Sequence, residues 1–206
     1  MHSWFVEESD GNMIVFDHEF KRKEYLEILV VNHPDYEAYK ANNKVHAKIY
    51  CLNEPFHIEH LEKNIQIYNN IGHLDITPPL IECKQLLKLK VGYFIEGEKY
   101  YEDDRLGAVY MIVTERYGQS LATKYMGLDA DDPEQGPGPD TDNLNEEDFN
   151  LFFPPEDIPE HIRNQIRPLL HKLKEAGWSH DDIHVGNFVV DNDVVKIIDF
   201  DCVSRI

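Results

Sequence analysis

Two groups of polar residues near the C-terminal end of the chain constrain its fold most strongly. Apolar residues at helical spacing predict a helix over 158–173, and a short hairpin is predicted over 188–198. Asp182 and Asn187 lie between these elements, and Asp199 follows the hairpin. Because the strands of a hairpin lie side by side, we expect Asp199 to lie close to Asn187.

These side chains carry the oxygen atoms that suit a magnesium site. Mg²⁺ takes a few carboxylate or amide oxygens and completes its shell with water and phosphate oxygens. Asn187 and Asp199 are therefore candidate metal ligands, and Asp182 is the candidate acceptor of a proton from an attacking hydroxyl. Alternatively, the turns simply contain ordinary turn acids, namely Asp181, Asp182, Asp191 and Asp193. That explanation accounts for the two turns but not for their joint register.

The pattern resembles the protein-kinase-like superfamily, whose catalytic loop reads H-x-D-x-x-x-x-N and whose metal-binding turn reads D-F-G. His180, Asp182 and Asn187 stand in the first register, and Asp199-Phe200 begins the second. The resemblance implies an α+β fold with two lobes, a small and mostly antiparallel β N-lobe and a truncated C-lobe. It implies Mg²⁺ and ATP as cofactors, and hence a nucleotide as partner.

The implied organisation is a single kinase-like domain over 1–206. Its N-lobe would take residues 1–116 and its truncated C-lobe residues 117–206, with an acidic loop at 127–150. The stretch 111–118 resembles the strand and hinge that join the lobes.

The resemblance extends more weakly to the nucleotide-binding strand. Val45-His46-Ala47-Lys48 resembles the V-A-I-K strand, which makes Lys48 the candidate for binding the α- and β-phosphates. Glu62, 14 residues further on in a predicted helix, is its candidate partner, and Glu59 is the second choice. Alternatively, Lys48 is a solvated lysine of an edge strand, and Glu62 lies on a solvated helix face.

Several positions depart from the kinase pattern. Gly11 is the only glycine among the first 50 residues, so a glycine-rich phosphate loop is missing. Asp181 replaces an arginine that binds phosphorylated activation loops, and His184 replaces a lysine, as in aminoglycoside and choline kinases. Asp201 replaces the glycine of D-F-G, either as a further metal ligand or as a turn residue. His46 would either crowd the adenine pocket or stack on the base.

The chain ends five residues after Asp201. We therefore expect the activation segment and the peptide-binding helices to be absent, as in small kinase-like proteins of viruses and microbes. A partner kinase or self-association would then complete the C-lobe.

These observations predict an ATP- and Mg²⁺-dependent phosphotransferase, with protein Ser/Thr kinase activity first and a small-molecule acceptor as the near alternative. The missing glycine loop favours a different possibility, a catalytically weak or inactive kinase-like module that binds a regulatory partner. His180-x-Asp182 also resembles half of an iron-oxygenase site. That site needs a distal histidine, and no histidine follows His184.

Charge and composition exclude other classes of protein. The chain has 39 acids and 20 bases, a formal net charge of −19, and 12 of the acids lie in 125–162, which has no Lys or Arg. Nucleic acid is therefore an unsuitable partner.

No apolar run approaches the ~18 residues of a membrane span. The three cysteines are widely spaced and no secretory signal is present, so we expect an intracellular, cytoplasmic protein.

Elsewhere, apolar and β-branched runs predict strands over 25–31, 45–52, 86–95 and 108–114. A helix is predicted from Pro55 onwards.

Overall fold

The computed structural model describes residues 2–128 and 138–206. They form two compact units, the first of Met1–Glu62 and Leu80–Glu115, the second of Lys63–Pro79 and Arg116–Ile206. Both units combine helices with small antiparallel sheets. The predicted α+β class is therefore confirmed.

The second unit includes Lys63–Pro79, a segment that the sequence analysis assigned to the N-lobe. The division into lobes at residue 116 stays a prediction.

The helices and strands alternate irregularly along the chain. The strands are β1 (His2–Glu7), β2 (Met13–Phe16), β3 (Val45–Cys51), β4 (Leu80–Lys88), β5 (Lys90–Ile95), β6 (Glu98–Tyr101), β7 (Ala108–Glu115), β8 (Gln119–Ser120), β9 (Trp178–His180), β10 (Phe188–Asp191), β11 (Val194–Ile197) and β12 (Val203–Arg205). The α-helices are α1 (Glu19–Val31), α2 (Pro34–Ala41), α3 (Pro55–Ile71), α4 (Glu146–Phe152) and α5 (Glu160–Glu175).

The first unit contains two antiparallel sheets, with strand orders β2-β1-β5-β6 and β3-β7-β4. The second sheet is built around β7, whose Met111 and Val113 are fully buried against Val45 of β3. Strands β3 and β7 confirm the predictions for 45–52 and 108–114.

Helix α1 occupies the place of a strand that was predicted over 25–31, so that prediction is wrong. Arg22, Leu26 and Val30 are its buried residues, and their spacing of four places them on one helix face. A short apolar run does not by itself distinguish a strand from a helix. The helix begins at Glu19, before the apolar run. Over this longer segment the buried residues recur every four positions, which is the spacing of a helix and not of a strand.

Three further elements of the first unit differ from the predictions. Helix α2 forms between the strands predicted over 25–31 and 45–52, with its proline in the first turn, where the missing N–H costs nothing. The strand predicted over 86–95 is divided between β4 and β5, and β6 forms between the strands predicted over 86–95 and 108–114.

In the second unit, helix α5 has the predicted apolar face. Its buried residues are Ile162, Ile166, Leu169, Leu170 and Leu173. The helix continues through Pro168, which is exposed.

Strands β10 and β11 form the predicted hairpin, with Phe188 opposite Ile197. Both turn residues, Asn192 and Asp193, have positive φ, as the usual two-residue hairpin turn requires.

The acidic loop predicted at 127–150 is described in part, because residues 129–137 lie outside the described residues. From Glu146 onwards the segment is helical and forms α4. The side chain of Asn145 caps this helix by accepting a hydrogen bond from the Asp148 N–H at 2.9 Å. Three acids in the first turn are favourable there, because the N-terminus of a helix carries a partial positive charge.

Cys51, Cys83 and Cys202 are free thiols. Among the described helices, none combines the length and the apolar character that crossing a membrane requires.

Candidate active site

Asp182 and Asn187 lie together in the loop between β9 and β10. The Asn187 side-chain Nδ2 donates to the Asp182 carbonyl oxygen at 2.9 Å and lies 3.4 Å from its carboxylate Oδ2. Residues Val185–Asn187 form a single 3-10 turn between the two residues of this contact. The catalytic-loop spacing therefore brings an amide and a carboxylate together, as predicted.

His184 contacts the same carboxylate. Its Nδ1 accepts a hydrogen bond from the Gly186 N–H at 3.1 Å, so Nε2 carries the proton in the neutral ring. Nε2 lies 3.4 Å from Oδ2 of Asp182. The imidazole therefore presents a donor to the side of the carboxylate that also faces Asn187.

The other carboxylate oxygen is bound by a segment that is distant in sequence. The Gly138 N–H donates to Oδ1 of Asp182 at 2.8 Å. Gly138 belongs to the predicted acidic loop and has no role predicted from the sequence. No local spacing identifies this contact, because the two residues are 44 positions apart.

His180 is a buried structural residue beneath this loop. Its ring is fully buried, and burial lowers the pKa of the imidazole below its usual value. Nδ1 accepts from the Asp182 N–H, and Nε2 donates to the Ile198 carbonyl, both at 3.3 Å. The neutral ring thus joins the catalytic loop to the segment that precedes Asp199.

A backbone contact joins Asp199 to the catalytic loop. The N–H of Ile198, which immediately precedes it, donates to the Asn187 carbonyl at 2.9 Å. The expectation that the hairpin returns the chain to Asn187 is therefore confirmed. Asp199 has a φ of +60°, a left-handed conformation that residues other than glycine seldom adopt.

Phe200 fixes this turn in the core. It is fully buried, with an edge-to-face contact to Tyr68 at 5.3 Å between ring centroids and a tilted contact to His180 at 6.0 Å. Its side chain holds the turn while the flanking carboxylates remain at the surface of the core.

Asn64 of α3 is a residue of this site that the sequence analysis missed. It is buried, and its Nδ2 donates to Oδ1 of Asp201 at 2.9 Å. The sequence held one signal, since Asn64 follows Leu61 by three positions and precedes Tyr68 by four, on the apolar face of α3. This bond gives Asp201 a structural role, whereas the sequence analysis left a metal-ligand role equally open.

The donor set fits a magnesium ion with few protein ligands. The Asn187 amide nitrogen faces Asp182, which leaves its oxygen on the opposite side of the amide. That oxygen and the Asp199 carboxylate are the hard donors that Mg²⁺ prefers. No cluster of three or more His, Cys, Asp or Glu side chains suited to a metal occurs within 2–128 and 138–206.

Lys48 and Glu62 both lie in the first unit. Lys48 lies on β3 opposite Ile112, with its Nζ 5.5 Å from the centroid of the Tyr50 ring. Glu62 lies on α3, and its carboxylate is 4.0 Å from the guanidinium of Arg105, with both side chains largely exposed. The pairing of Lys48 with Glu62 stays a prediction.

The turn that contains Gly11 has no feature of a phosphate loop. Gly11 has a φ of +84°, and its N–H donates to the Glu8 carbonyl at 2.9 Å within the β1–β2 hairpin. The carboxylates of Glu8 and Asp10 hydrogen-bond to Asn12 in the same turn. Two acids in the turn repel phosphate, so the departure noted in the sequence is also present in the structure.

A family comparison supports the resemblance for the part of the chain that contains this site. Residues 104–205 match the model of the phosphotransferase enzyme family. This family is a member of the protein-kinase-like superfamily, so the predicted resemblance is confirmed. The match includes the whole catalytic loop and the Asp199 turn. No curated protein matches the chain significantly.

Proposed function

We propose that this protein transfers the γ-phosphoryl group of ATP to a hydroxyl group, with Mg²⁺ as cofactor. The observation that carries the proposal is the arrangement of Asp182, whose carboxylate is held by donors on both of its oxygens. The family match of residues 104–205 supports the same class of reaction.

In this proposal Asp182 orients the acceptor hydroxyl and takes its proton. The hydroxyl oxygen forms a bond to the γ-phosphorus while the bond to the bridging oxygen of ADP breaks, and the proton passes to the carboxylate. Asn187 and Asp199 would hold Mg²⁺, which supplies positive charge to the transferring phosphates. Lys48 would bind the α- and β-phosphates, with Glu62 as its partner.

The acceptor that we favour is a small molecule. The phosphotransferase enzyme family often acts on small molecules, and His184 stands where Ser/Thr protein kinases have a lysine. Transfer to protein Ser/Thr, the acceptor that the sequence analysis placed first, is the outcome that would revise this choice.

The test is phosphate transfer from labelled ATP to a panel of small hydroxyl compounds and to a Ser/Thr peptide library. Asp182→Ala should lower turnover by about 10²-fold or more, since general-base catalysis contributes about 10²–10⁴-fold, while nucleotide affinity is retained. Asp181→Ala is the matched control, because it removes the neighbouring acid and should retain activity. Equal turnover in wild type and Asp182→Ala would refute the assigned role.

The second candidate is a weak or inactive kinase-like module. The acidic turn at Gly11 favours it, because this turn cannot bind phosphate as a glycine-rich loop does. Absence of both transfer and Mg·ATP binding in the wild-type protein would support this alternative and refute the proposed enzyme.

A further inference from the structure

We propose that the segment Gly138–Thr141, called the strap below, is a positioning element for the catalytic carboxylate of Asp182. The inference rests on the proposed function, because it assigns the strap a role in the same transfer reaction. It adds residues to the site that lie outside the catalytic loop and the metal-binding turn.

Hydrogen bonds on both sides of Asp182 fix the strap along the catalytic loop. The Thr141 N–H and Oγ1–H both donate to the His180 carbonyl, at 3.0 and 3.2 Å, and the His180 N–H donates to Thr141 Oγ1 at 3.0 Å. The Ile183 N–H donates to the Pro139 carbonyl at 3.0 Å. The strap is thus bound on both sides of Asp182, at His180 and at Ile183.

Only glycine fits at the position that reaches the carboxylate. A Cβ atom on Gly138 would lie 2.2 Å from the Ile183 carbonyl oxygen and 2.5 Å from its carbonyl carbon and amide nitrogen. All three are backbone atoms that cannot move aside as a flexible side chain can. The close approach that lets the Gly138 N–H bind Oδ1 therefore depends on the missing side chain.

The strap holds the carboxylate without covering it. Oδ1 is bound by Gly138, while His184 and Asn187 lie against Oδ2. Rotation of the carboxylate would break contacts on both sides at once. With the strap in place 28% of the Asp182 side chain remains exposed, and a carboxylate oxygen can accept more than one hydrogen bond. An acceptor hydroxyl can therefore still reach the Asp182 carboxylate. This accessibility indicates that the strap positions the carboxylate and does not block it.

The first test is Gly138→Ala in the full-length protein, with Gly72→Ala as matched control. A Cβ on Gly72 meets nothing within 4 Å, so this variant adds the same methyl group without a clash. Gly138→Ala should lower kcat about 10²-fold, the loss expected when a catalytic group is misplaced by about 1 Å. In Gly138→Ala the KM for ATP should stay at the wild-type value. In the control Gly72→Ala the unfolding temperature should also stay at the wild-type value.

The second test leaves Gly138 intact and removes the anchor at the other end. Thr141→Val keeps the shape of the side chain but loses the hydroxyl that bonds both the N–H and the carbonyl of His180. We expect about a tenfold loss of kcat at unchanged KM for ATP, and recovery of kcat in Thr141→Ser, which restores the hydroxyl. A merely structural role would lower stability without this separation of kcat from KM.

Unchanged or raised kcat in both Gly138→Ala and Thr141→Val, with an active wild-type enzyme, would overturn the inference. Raised kcat would show that the strap inhibits. A wild-type enzyme without transfer activity would instead refute the proposed function, and the catalytic role of the strap with it.

The contact itself has a readout that needs no activity. The exchange rate of the Gly138 amide proton, measured by NMR, should rise in Asp182→Ala relative to Asp182→Asn, which keeps a carbonyl acceptor. Equal exchange rates in the two variants would refute the contact.

Discussion

At the residue scale, the conformation of Asp199 stands out. A φ of +60° is uncommon for a residue other than glycine, although Asp and Asn adopt it more often than the rest, and it persists where the surrounding structure imposes it. Here the buried Phe200 ring and the Ile198 bonds impose it. This imposed conformation keeps the carboxylate of a candidate metal ligand in one place.

This conformation also determines which substitution is informative at position 199. Asparagine tolerates the left-handed region well, so Asp199→Asn should fold while it lacks the negative charge. In the wild type, Mg·ATP at 100-fold over its Kd should raise the free energy of unfolding by about 2.7 kcal/mol. We expect Asp199→Asn to lose most of this Mg²⁺-dependent gain in a thermal unfolding scan, with an unchanged unfolding temperature in the absence of ligand. An equal gain in both proteins would contradict the assignment.

At the element scale, a buried ion pair joins α1 to the segment that follows β6. Arg22 is 1% exposed, and its Nη1 lies 2.8 Å from Oε1 of Glu102. A second, longer contact joins Arg22 to Glu19 within α1. The ion pair has no signal in the sequence, because its two partners are 80 positions apart.

Removing Arg22 should therefore destabilise the protein strongly. Arg22→Ala leaves the Glu102 carboxylate largely buried without its partner, and breaking such a pair costs about 3–5 kcal/mol. The control is Lys21→Ala, which breaks an exposed pair with Asp17 and should leave the unfolding midpoint almost unchanged. Urea unfolding monitored by circular dichroism measures both, and similar midpoints for the two variants would contradict the prediction.

At the scale of the whole molecule, the charge predicts weak binding of nucleic acid. Its formal net charge is −19, and most of the excess comes from the segment 125–162. Proteins that bind duplexes neutralise phosphates with Lys and Arg, and this chain has 20 of these against 39 acids.

We therefore predict that duplex DNA binds more weakly than the usual non-specific range, with a Kd above about 10⁻⁴ M at physiological salt. Fluorescence anisotropy of a labelled duplex measures this, with a basic protein of similar size as positive control. Micromolar binding that weakens steeply with salt would refute the prediction and point to a basic surface.

The sequence by itself determined the elements whose signals are local. Helix α5, the β10–β11 hairpin and the proximity of Asp182, Asn187 and the Asp199 turn all follow from spacing within some 40 residues. Short-range periodicity and turn chemistry suffice there, because the contacting residues are joined by one helix turn or one hairpin.

The tertiary structure alone decided the contacts between distant segments. Gly138 meets Asp182 across 44 positions, and Asn64 meets Asp201 across 137. Residues 25–31 likewise form part of a helix, and not the predicted strand, because Arg22, Leu26 and Val30 are buried on one helix face. A side chain's local sequence does not encode which remote backbone will pack against it, and packing and burial make that choice.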